Sequence, residues 1–238
     1  MSADSSLPQG QDKVAAVRSM FDAIAPRYDM LNRLLTFSMD CRWRRRSVRE
    51  LGLPAESLVF DLACGTGDLC RDLESAGYRA VGFDLSAGML RAAQKYRDSG
   101  KLSAPMVLGD ALCLPVPPES ADGITCGFAL RNVVDLDGLF AELARVVRPG
   151  GRVSLLEVAE PSNPIMRLGH AVYFGKVIPL IGGLLSDRTA YEYLPKSVAY
   201  MPPTEEMLDT LAGRGFEAVQ HSQLSGGIAQ LVTATRRR

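Results

Sequence analysis

A glycine turn that joins an apolar run to an amphipathic segment is the feature that most constrains the fold. The ten residues 59–68 read Val-Phe-Asp-Leu-Ala-Cys-Gly-Thr-Gly-Asp. A short apolar run that ends at turn residues is typical of a buried strand. Gly65 and Gly67 allow the backbone to adopt a positive φ and to approach a ligand closely. The segment therefore predicts a strand that turns sharply into a helix, as in a parallel α/β sheet.

The same alternation of apolar runs and amphipathic segments continues along the chain. The pattern predicts five strands, at residues 57–62, 79–84, 105–108, 122–128 and 152–158. It predicts helices at residues 68–75, 87–98 and 135–147, the second of them capped by Ser86. The remaining elements are a helix and two strands, at residues 204–213, 216–222 and 226–235. Together they predict a Rossmann-like α/β fold, with a doubly wound, mostly parallel, seven-stranded sheet.

The length of 238 residues suits one large domain. Residues 1–12 are polar and predict a flexible tail, and residues 13–238 predict a single domain. Apolar residues at helical spacing predict a helical cap over about 13–52, in which Pro26 ends the first helix. Residues 160–203 are rich in Pro, Gly and large apolar side chains, and predict an insertion.

Charge and cysteine content exclude several classes of protein. Lys and Arg number 27 and Asp and Glu number 27, so a nucleic-acid binder that works by bulk attraction to phosphate is not expected. No apolar run reaches the roughly 18 residues of a membrane span. His170 and His221 are too few for a conventional zinc site, so we expect no metal and interpret both as structural or surface residues. The polar N-terminus and five cysteines without a CxxC pair favour a cytoplasmic protein.

Three carboxylates at the ends of successive predicted strands indicate a ligand at one edge of the sheet. They are Asp61, Asp84 and Asp110. A dinucleotide site requires three glycines spaced GxGxxG, but its third position is Cys70 here, and Asp61 would repel a pyrophosphate. S-adenosylmethionine has no phosphate and carries a cationic amino group, so nearby carboxylates favour it. An NAD(P)-dependent oxidoreductase and a non-catalytic module are the alternatives.

These motifs, with the Arg-Pro-Gly-Gly run at 148–151, resemble those of the class I S-adenosylmethionine-dependent methyltransferases. The resemblance implies that Asp84 holds the ribose and Asp110 the adenine, while Met89 covers the adenine face. A Met in an amphipathic helix is also a common core residue. The implied cofactor-binding residues are Asp61, Gly65, Thr66, Gly67, Asp84, Met89, Asp110 and Ala111.

A narrower resemblance covers nearly the whole chain. Residues 28–32 (Tyr-Asp-Met-Leu-Asn), 128–133 (Phe-Ala-Leu-Arg-Asn-Val) and 145–157 are similar to signature segments of the ubiquinone/menaquinone-biosynthesis C-methyltransferase family. Asp40 stands where many members have His, and resembles the demethylmenaquinone-type members. The resemblance implies C-methylation of a polyprenyl hydroquinone ring, with demethylmenaquinol as the substrate. A ubiquinone precursor or another phenolic metabolite is the alternative substrate.

The resemblance also implies catalytic roles for Arg131, Asn132 and Tyr28. Arg131 and Asn132 would lie near the ring, and Tyr28 with Asp29 would close over the cofactor from the cap. Since a guanidinium stays protonated, we expect Arg131 to stabilise a phenolate or to orient a water that accepts the proton. The structural alternatives are a surface ion pair for Arg131 and aromatic packing for Tyr28.

The insertion and an arginine-rich helix bear on the expected partners. A prenyl tail needs an apolar channel, for which residues 160–203 would form the wall or lid; ordinary core under a long loop is the alternative. Of Tyr191 and Tyr193, at most one is expected to reach the head group. Five arginines in residues 42–49 predict contact with anionic lipid or, alternatively, a solvated helix face. Peripheral membrane contact and a homodimer are further expectations.

Overall fold

The computed structural model describes residues 9–173, 175, 193 and 197–238. Its helices are α1 (Gly10–Ile24), α2 (Tyr28–Leu35), α3 (Met39–Leu51), α4 (Asp68–Ser75), α5 (Ala87–Asp98), α6 (Leu136–Val146), α7 (Pro164–Val172) and α8 (Thr204–Gly213). Its strands are β1 (Leu58–Leu62), β2 (Arg79–Asp84), β3 (Met106–Leu108), β4 (Ala121–Gly127), β5 (Val147–Val158), β6 (Phe216–Leu224) and β7 (Ala229–Arg236). Among the 3-10 turns, Leu130–Asn132 follows β4; the others in the described residues are Ala25–Arg27, Val198–Tyr200 and Ser225–Gly227.

Within the described residues, the strands form one seven-stranded sheet in the order β3-β2-β1-β4-β5-β7-β6. The first five strands pair in parallel, and β7 runs antiparallel to both β5 and β6. The predicted doubly wound sheet is therefore confirmed. The chain winds outward from β1 through β2 to β3 and then crosses to β4 on the other side of β1. In open α/β sheets, ligands bind beyond the carboxyl ends of strands at such a switch point.

The N-terminal helices lie across the sheet as the predicted cap. α1 begins at Gly10, earlier than the predicted start at residue 13, and ends before Pro26 as expected. α3 packs directly on the sheet, where the hydroxyls of Ser47 and Ser154 are 2.8 Å apart. Residues 1–8 of the predicted tail lie outside the described residues.

Strand β5 begins at Val147, before the predicted start at residue 152. Val147 pairs with Ala121 and Arg152 pairs with Gly123, so the residues between them make an excursion within the strand. Gly150 has a φ of 79° in that excursion, a conformation that glycine adopts without steric cost. The predicted start of β5 was wrong because the strand already pairs with β4 at Val147, before the Pro-Gly-Gly run at 149–151.

The insertion is described only in part. α7 lies within the insertion. Residues 174, 176–192 and 194–196 of the insertion lie outside the described residues, and so do the expectations for Tyr191 and for most of the apolar lid.

Behind the sheet, the apolar face predicted for α6 is confirmed. Leu139, Phe140 and Leu143 are fully buried there. This core fixes β4 and β5 in place, and with them the loop that carries Arg131.

Candidate active site

A first cavity lies beyond the carboxyl ends of β1, β2 and β4, at the switch point of the sheet. The wall consists of the strand-end loops on one side and of α1 and Tyr28 on the other. The predicted cofactor-binding residues that line this cavity are Gly65, Asp84, Met89, Asp110 and Ala111. The strand ends and the cap therefore bring together five of the eight residues implied by the sequence.

Asp84 connects two walls of the first cavity. One carboxylate oxygen accepts a hydrogen bond from the Gly65 N–H at 2.8 Å, and the other accepts one from the Ser86 N–H at 2.7 Å. Burial raises the pKa of Asp84, and the two backbone hydrogen bonds act in the opposite direction. The carboxylate is thus held at the cavity by the glycine turn and by the start of α5.

The other three predicted residues lie behind the glycine turn and do not line the cavity. The Thr66 hydroxyl donates to Asp29 at 2.5 Å, which ties the turn to the cap. A Cβ placed on Gly67 would lie 2.9 Å from the Leu102 side chain, so this glycine permits close packing. Asp61 is 1% exposed. In the structure these three residues therefore support the glycine turn.

The carboxyl group of Asp61 is almost completely buried. It accepts hydrogen bonds from the Thr125 hydroxyl at 2.8 Å and from the Cys70 thiol at 3.6 Å. Burial raises its pKa to about 7, and the two hydrogen bonds offset this only in part. Asp84 adds a like charge that acts in the same direction as burial. The group therefore binds a proton in the folded state well above the pH at which the unfolded chain releases it.

Because the Asp61 pKa is raised, we expect the folded protein to lose stability as the pH rises, and we expect Asp61→Asn to remove that loss. Between about pH 4 and about pH 7 the unfolded chain has released the Asp61 proton and the folded chain retains it. The contribution of Asp61 to the free energy of unfolding should fall across this window by about 1.4 kcal/mol per pH unit, and this fall should stop above it. Urea unfolding at several pH values measures this. Asp209→Asn, at an exposed position, should behave like the wild type, and an equal slope in Asp61→Asn would contradict the assignment.

Helix α1 is fixed over the first cavity at both ends. The Asp22 carboxylate accepts hydrogen bonds from the Ser86 hydroxyl at 2.6 Å and from the Gly88 N–H at 2.7 Å. The Lys13 ammonium donates to the carbonyl oxygens of Arg131 at 2.9 Å and Val133 at 3.1 Å. Burial lowers the Lys13 pKa to about 8. Sequence reasoning missed both residues, because nothing local distinguishes them from other charged residues of an amphipathic helix.

A second cavity adjoins the first. It has a volume of about 330 Å³. Phe21, Tyr28 and Phe128 line both cavities, so a ligand in one would lie directly beside a ligand in the other. The apolar part of the second wall is formed mainly by Ile24, Leu35, Met39, Trp43, Val158 and Ile228. This arrangement suits a polar cofactor next to an apolar substrate.

Two polar groups lie near the place where the cavities meet: Tyr28 lines both cavities, and Asn132 lines the first beside Arg131, which lines the second. Asn132 lines the first cavity, and its side-chain oxygen accepts a hydrogen bond from the Tyr193 hydroxyl at 3.1 Å. Burial raises the Tyr193 pKa to about 12, so this hydroxyl remains a donor. Tyr28 packs edge-on against Phe21 with ring centroids 6.0 Å apart. Tyr28 therefore has both the packing contact and the cavity position that sequence reasoning left as alternatives.

Arg131 forms a buried ion pair, so the interpretation as a surface ion pair was wrong. Its guanidinium pairs with Glu157, which is 1% exposed. The same guanidinium donates to the Ser197 hydroxyl at 3.1 Å and to the Phe128 carbonyl oxygen at 2.8 Å. Arg131 also lines the second cavity. Its strongest contacts fix the loop that carries Asn132.

Arg131→Ala is expected to destabilise the protein by about 3–5 kcal/mol, because it leaves the Glu157 carboxylate buried without its cation. Urea unfolding measures the loss. The double variant Arg131→Met, Glu157→Gln is the control, since it removes both charges and the glutamine oxygen can still accept from the backbone N–H of Arg131 or Val158. A stability loss as large in the double variant as in the single one would contradict this explanation.

His170 is a cavity residue that sequence reasoning treated as structural or as surface. It lies on α7 and lines the second cavity together with Met166, Gly169 and Tyr173. Burial lowers the His170 pKa from its ordinary value of 6.5, so the imidazole is neutral at pH 7 and can accept a proton. The wall of this cavity includes no carboxylate among the described residues. The helical spacing of the apolar residues in α7 was the sequence signal that could have indicated this position of His170.

Comparison with known protein families identifies the family of this chain. A sequence model of the ubiE/COQ5 methyltransferase family matches residues 9–236. The chain belongs to the ubiE/COQ5 methyltransferase family. It is therefore a methyltransferase, as the resemblance predicted, and the family match covers both cavities.

Relatives in the ubiE/COQ5 family are similar over almost their full length. The ubiquinone/menaquinone biosynthesis C-methyltransferase UbiE of Syntrophotalea carbinolica is 42% identical, with 95% of each chain covered. The demethylmenaquinone methyltransferase of Thermus thermophilus is 40% identical, over 91% of this chain and 100% of the relative. That of a Roseiflexus species is 39% identical, over 97% and 98%.

Solved structures show the same fold at low sequence identity. Phosphoethanolamine N-methyltransferase 2 of Haemonchus contortus, solved with S-adenosyl-L-methionine, superposes with a TM-score of 0.62 at 15% identity, over 82% of this chain and 52% of that one. The [4+2]-cyclase SpnF superposes with a TM-score of 0.70 at 17% identity, over 100% and 99%. These neighbours confirm the predicted Rossmann-like methyltransferase fold.

The part of this ubiE/COQ5 family member that the structure describes shows no metal-ligand cluster and no membrane-spanning helix. Among the described residues, no group of three or more His, Cys, Asp or Glu side chains is arranged to hold a metal ion. No helix in that part of the chain is long and apolar enough to cross a bilayer.

Proposed function

We propose that this methyltransferase transfers the methyl group of S-adenosylmethionine to a ring carbon of demethylmenaquinol. The observation that carries the proposal is the pair of joined cavities, one with carboxylates at the strand ends and one with apolar walls. Relatives named demethylmenaquinone methyltransferase, at 39% and 40% identity over nearly the whole chain, support the same substrate.

The first cavity suits S-adenosylmethionine in its donor set. Asp84 would accept hydrogen bonds from both ribose hydroxyls, and Asp110 would accept one from the adenine amino group. Met89, which is 2% exposed, would lie against the adenine. When bound, the cofactor supplies an electrophilic methyl group on a sulfonium.

The second cavity suits a hydroquinone with an apolar tail. Its shared wall of Phe21, Tyr28 and Phe128 would hold the ring beside the cofactor. Displacement at a methyl group depends on alignment of the reacting atoms more than on covalent help. The fixed positions of α1 and of the Arg131 loop would supply that alignment and exclude water.

The residues of the second cavity would also move the proton that the reaction releases. A ring carbon becomes nucleophilic when the neighbouring phenol loses its proton. We assign that proton to the imidazole of His170, because the Arg131 guanidinium has no acceptor atom and is paired with Glu157. The Arg131 guanidinium and the Asn132 amide would stabilise the phenolate oxygen. The ring proton leaves to solvent after the carbon–carbon bond forms.

Titration calorimetry tests the cofactor half of this proposal. S-adenosylmethionine and its demethylated product should bind the purified protein, and NADH should not. Binding of NADH without binding of S-adenosylmethionine would overturn the assignment of the first cavity and would favour the oxidoreductase alternative.

A further inference from the structure

Helices α2 and α7 expose large apolar side chains beside the second cavity. α7 buries none of its residues. The exposed fractions are 55% for Met30, 49% for Leu34, 73% for Phe37, 83% for Ile165, 69% for Leu168 and 47% for Val172. Single exposed apolar residues are ordinary, but a contiguous set marks an interaction surface. We call these six residues the α2–α7 surface.

The α2–α7 surface is continuous across the two helices. The rings of Phe37 and Tyr173 are 5.8 Å apart, and the Tyr173 hydroxyl donates to the Leu35 carbonyl oxygen at 2.8 Å. Along α7, Ile165, Leu168 and Val172 follow the spacing of one helix face. The other face of α7 carries the residues that line the cavity.

The second cavity opens on the α2–α7 surface. Phe37 and Met166 both line the cavity, and they are 73% and 40% exposed. A residue that is both a wall residue and largely exposed marks the mouth of a cavity. An apolar ligand could therefore enter from whatever covers this surface without crossing water.

The charges at the α2–α7 surface are cationic. Among residues 28–37 and 164–173, the exposed charged side chains are Arg33 and Arg167, and the Arg33 guanidinium pairs with Asp68 at 3.4 Å. The carboxylate in these segments, Asp29, is half-buried and accepts hydrogen bonds from Thr66 and from the Tyr96 hydroxyl. A symmetric dimer through this face would bring the Arg167 side chains of both copies to one interface, where they would repel.

We propose that the α2–α7 surface docks on an anionic lipid bilayer and admits the quinol tail from the lipid into the second cavity. Apolar side chains inserted at the interface, with arginines beside them, are the composition that such binding requires. The inference rests on the proposed function, because a polyprenyl quinol resides in lipid. Lipid contact by residues 42–49 stays a separate expectation: Arg44 is buried there and pairs with Asp72 at 2.9 Å, and the other four arginines are exposed.

Vesicle sedimentation with the full chain tests this docking. The wild type should bind vesicles that contain phosphatidylglycerol more tightly than vesicles of phosphatidylcholine alone. The double variant Leu34→Ser, Leu168→Ser should lose about tenfold or more of that affinity, because two exposed apolar side chains are removed. Neither residue lines a cavity. Leu108→Ser, 56% exposed on β3, is the matched control and should bind as the wild type does.

Activity measurements separate this proposal from the function on which it rests. The double variant should methylate a tail-less, water-soluble quinol at the wild-type rate, and a vesicle-embedded quinol about tenfold more slowly or worse. Unchanged vesicle binding in the double variant would overturn the docking surface. So would a wild-type dimer that the double variant dissociates, measured by light scattering. Failure to methylate any quinol, with surface-dependent vesicle binding retained, would overturn the proposed function alone.

Discussion

Asp84→Ala is expected to weaken S-adenosylmethionine binding by about 100-fold or more, because it removes the carboxylate that would accept hydrogen bonds from both ribose hydroxyls. Hydrogen bonds to a charged group contribute about 1.5–3 kcal/mol each, and about 1.4 kcal/mol corresponds to a factor of ten. Asp84 also holds the Gly65 and Ser86 N–H groups, so the variant loosens the turn as well. Titration calorimetry measures the dissociation constant.

Two variants control the Asp84 measurement. Asp84→Asn retains one acceptor oxygen and should bind the cofactor with intermediate affinity. Asp98→Ala, at the exposed end of α5, should bind as the wild type does. Circular dichroism shows whether each variant is folded. An Asp84→Ala protein that is folded and binds within a few-fold of the wild type would contradict the role assigned to this carboxylate.

His170→Gln is expected to lower turnover by about 10²–10⁴-fold, the range typical of a lost general base. Glutamine keeps a polar group on the wall of the second cavity but cannot accept the phenolic proton. The affinity for S-adenosylmethionine should not change, because His170 lines only the second cavity. Steady-state kinetics with a short-tailed quinol, together with calorimetry, separates the two effects.

The pH profile provides a second readout for His170. Burial lowers the His170 pKa below 6.5 in the free protein, so wild-type kcat/KM should fall on the acid side with a midpoint below pH 6.5. The residual activity of His170→Gln should lack that acid limb. His221→Gln, on β6 with its ring 3.1 Å from Gln230, should keep both rate and profile. An unchanged acid limb in His170→Gln would show that another group takes the proton.

The fold was predictable because its signals are local. Apolar runs located the parallel strands, and the predicted helix cap at Ser86 is confirmed, since its hydroxyl accepts from the Met89 N–H. The start of β5 was not predictable, because it depends on pairing with Ala121 on a strand distant in sequence.

The site was predictable only in part, for a physical reason. Asp61 and Asp84 both follow apolar runs, and the sequence does not show which one faces a cavity and which lies beneath the turn. The contact of Lys13 with the Arg131 carbonyl joins residues 118 positions apart. The cavity position of His170 similarly depends on how α7 packs against α2. These placements arise from tertiary contacts, which local patterns do not encode.

Methyl transfer to a reduced naphthoquinol tests the central claim most directly. The purified protein would be incubated without oxygen with demethylmenaquinol and S-adenosylmethionine labelled with carbon-13 in its methyl group, and the product examined by NMR. The proposal predicts one labelled methyl group, bonded to a ring carbon. Label on a phenolic oxygen, or no transfer to any quinol by protein that binds the cofactor, would contradict it.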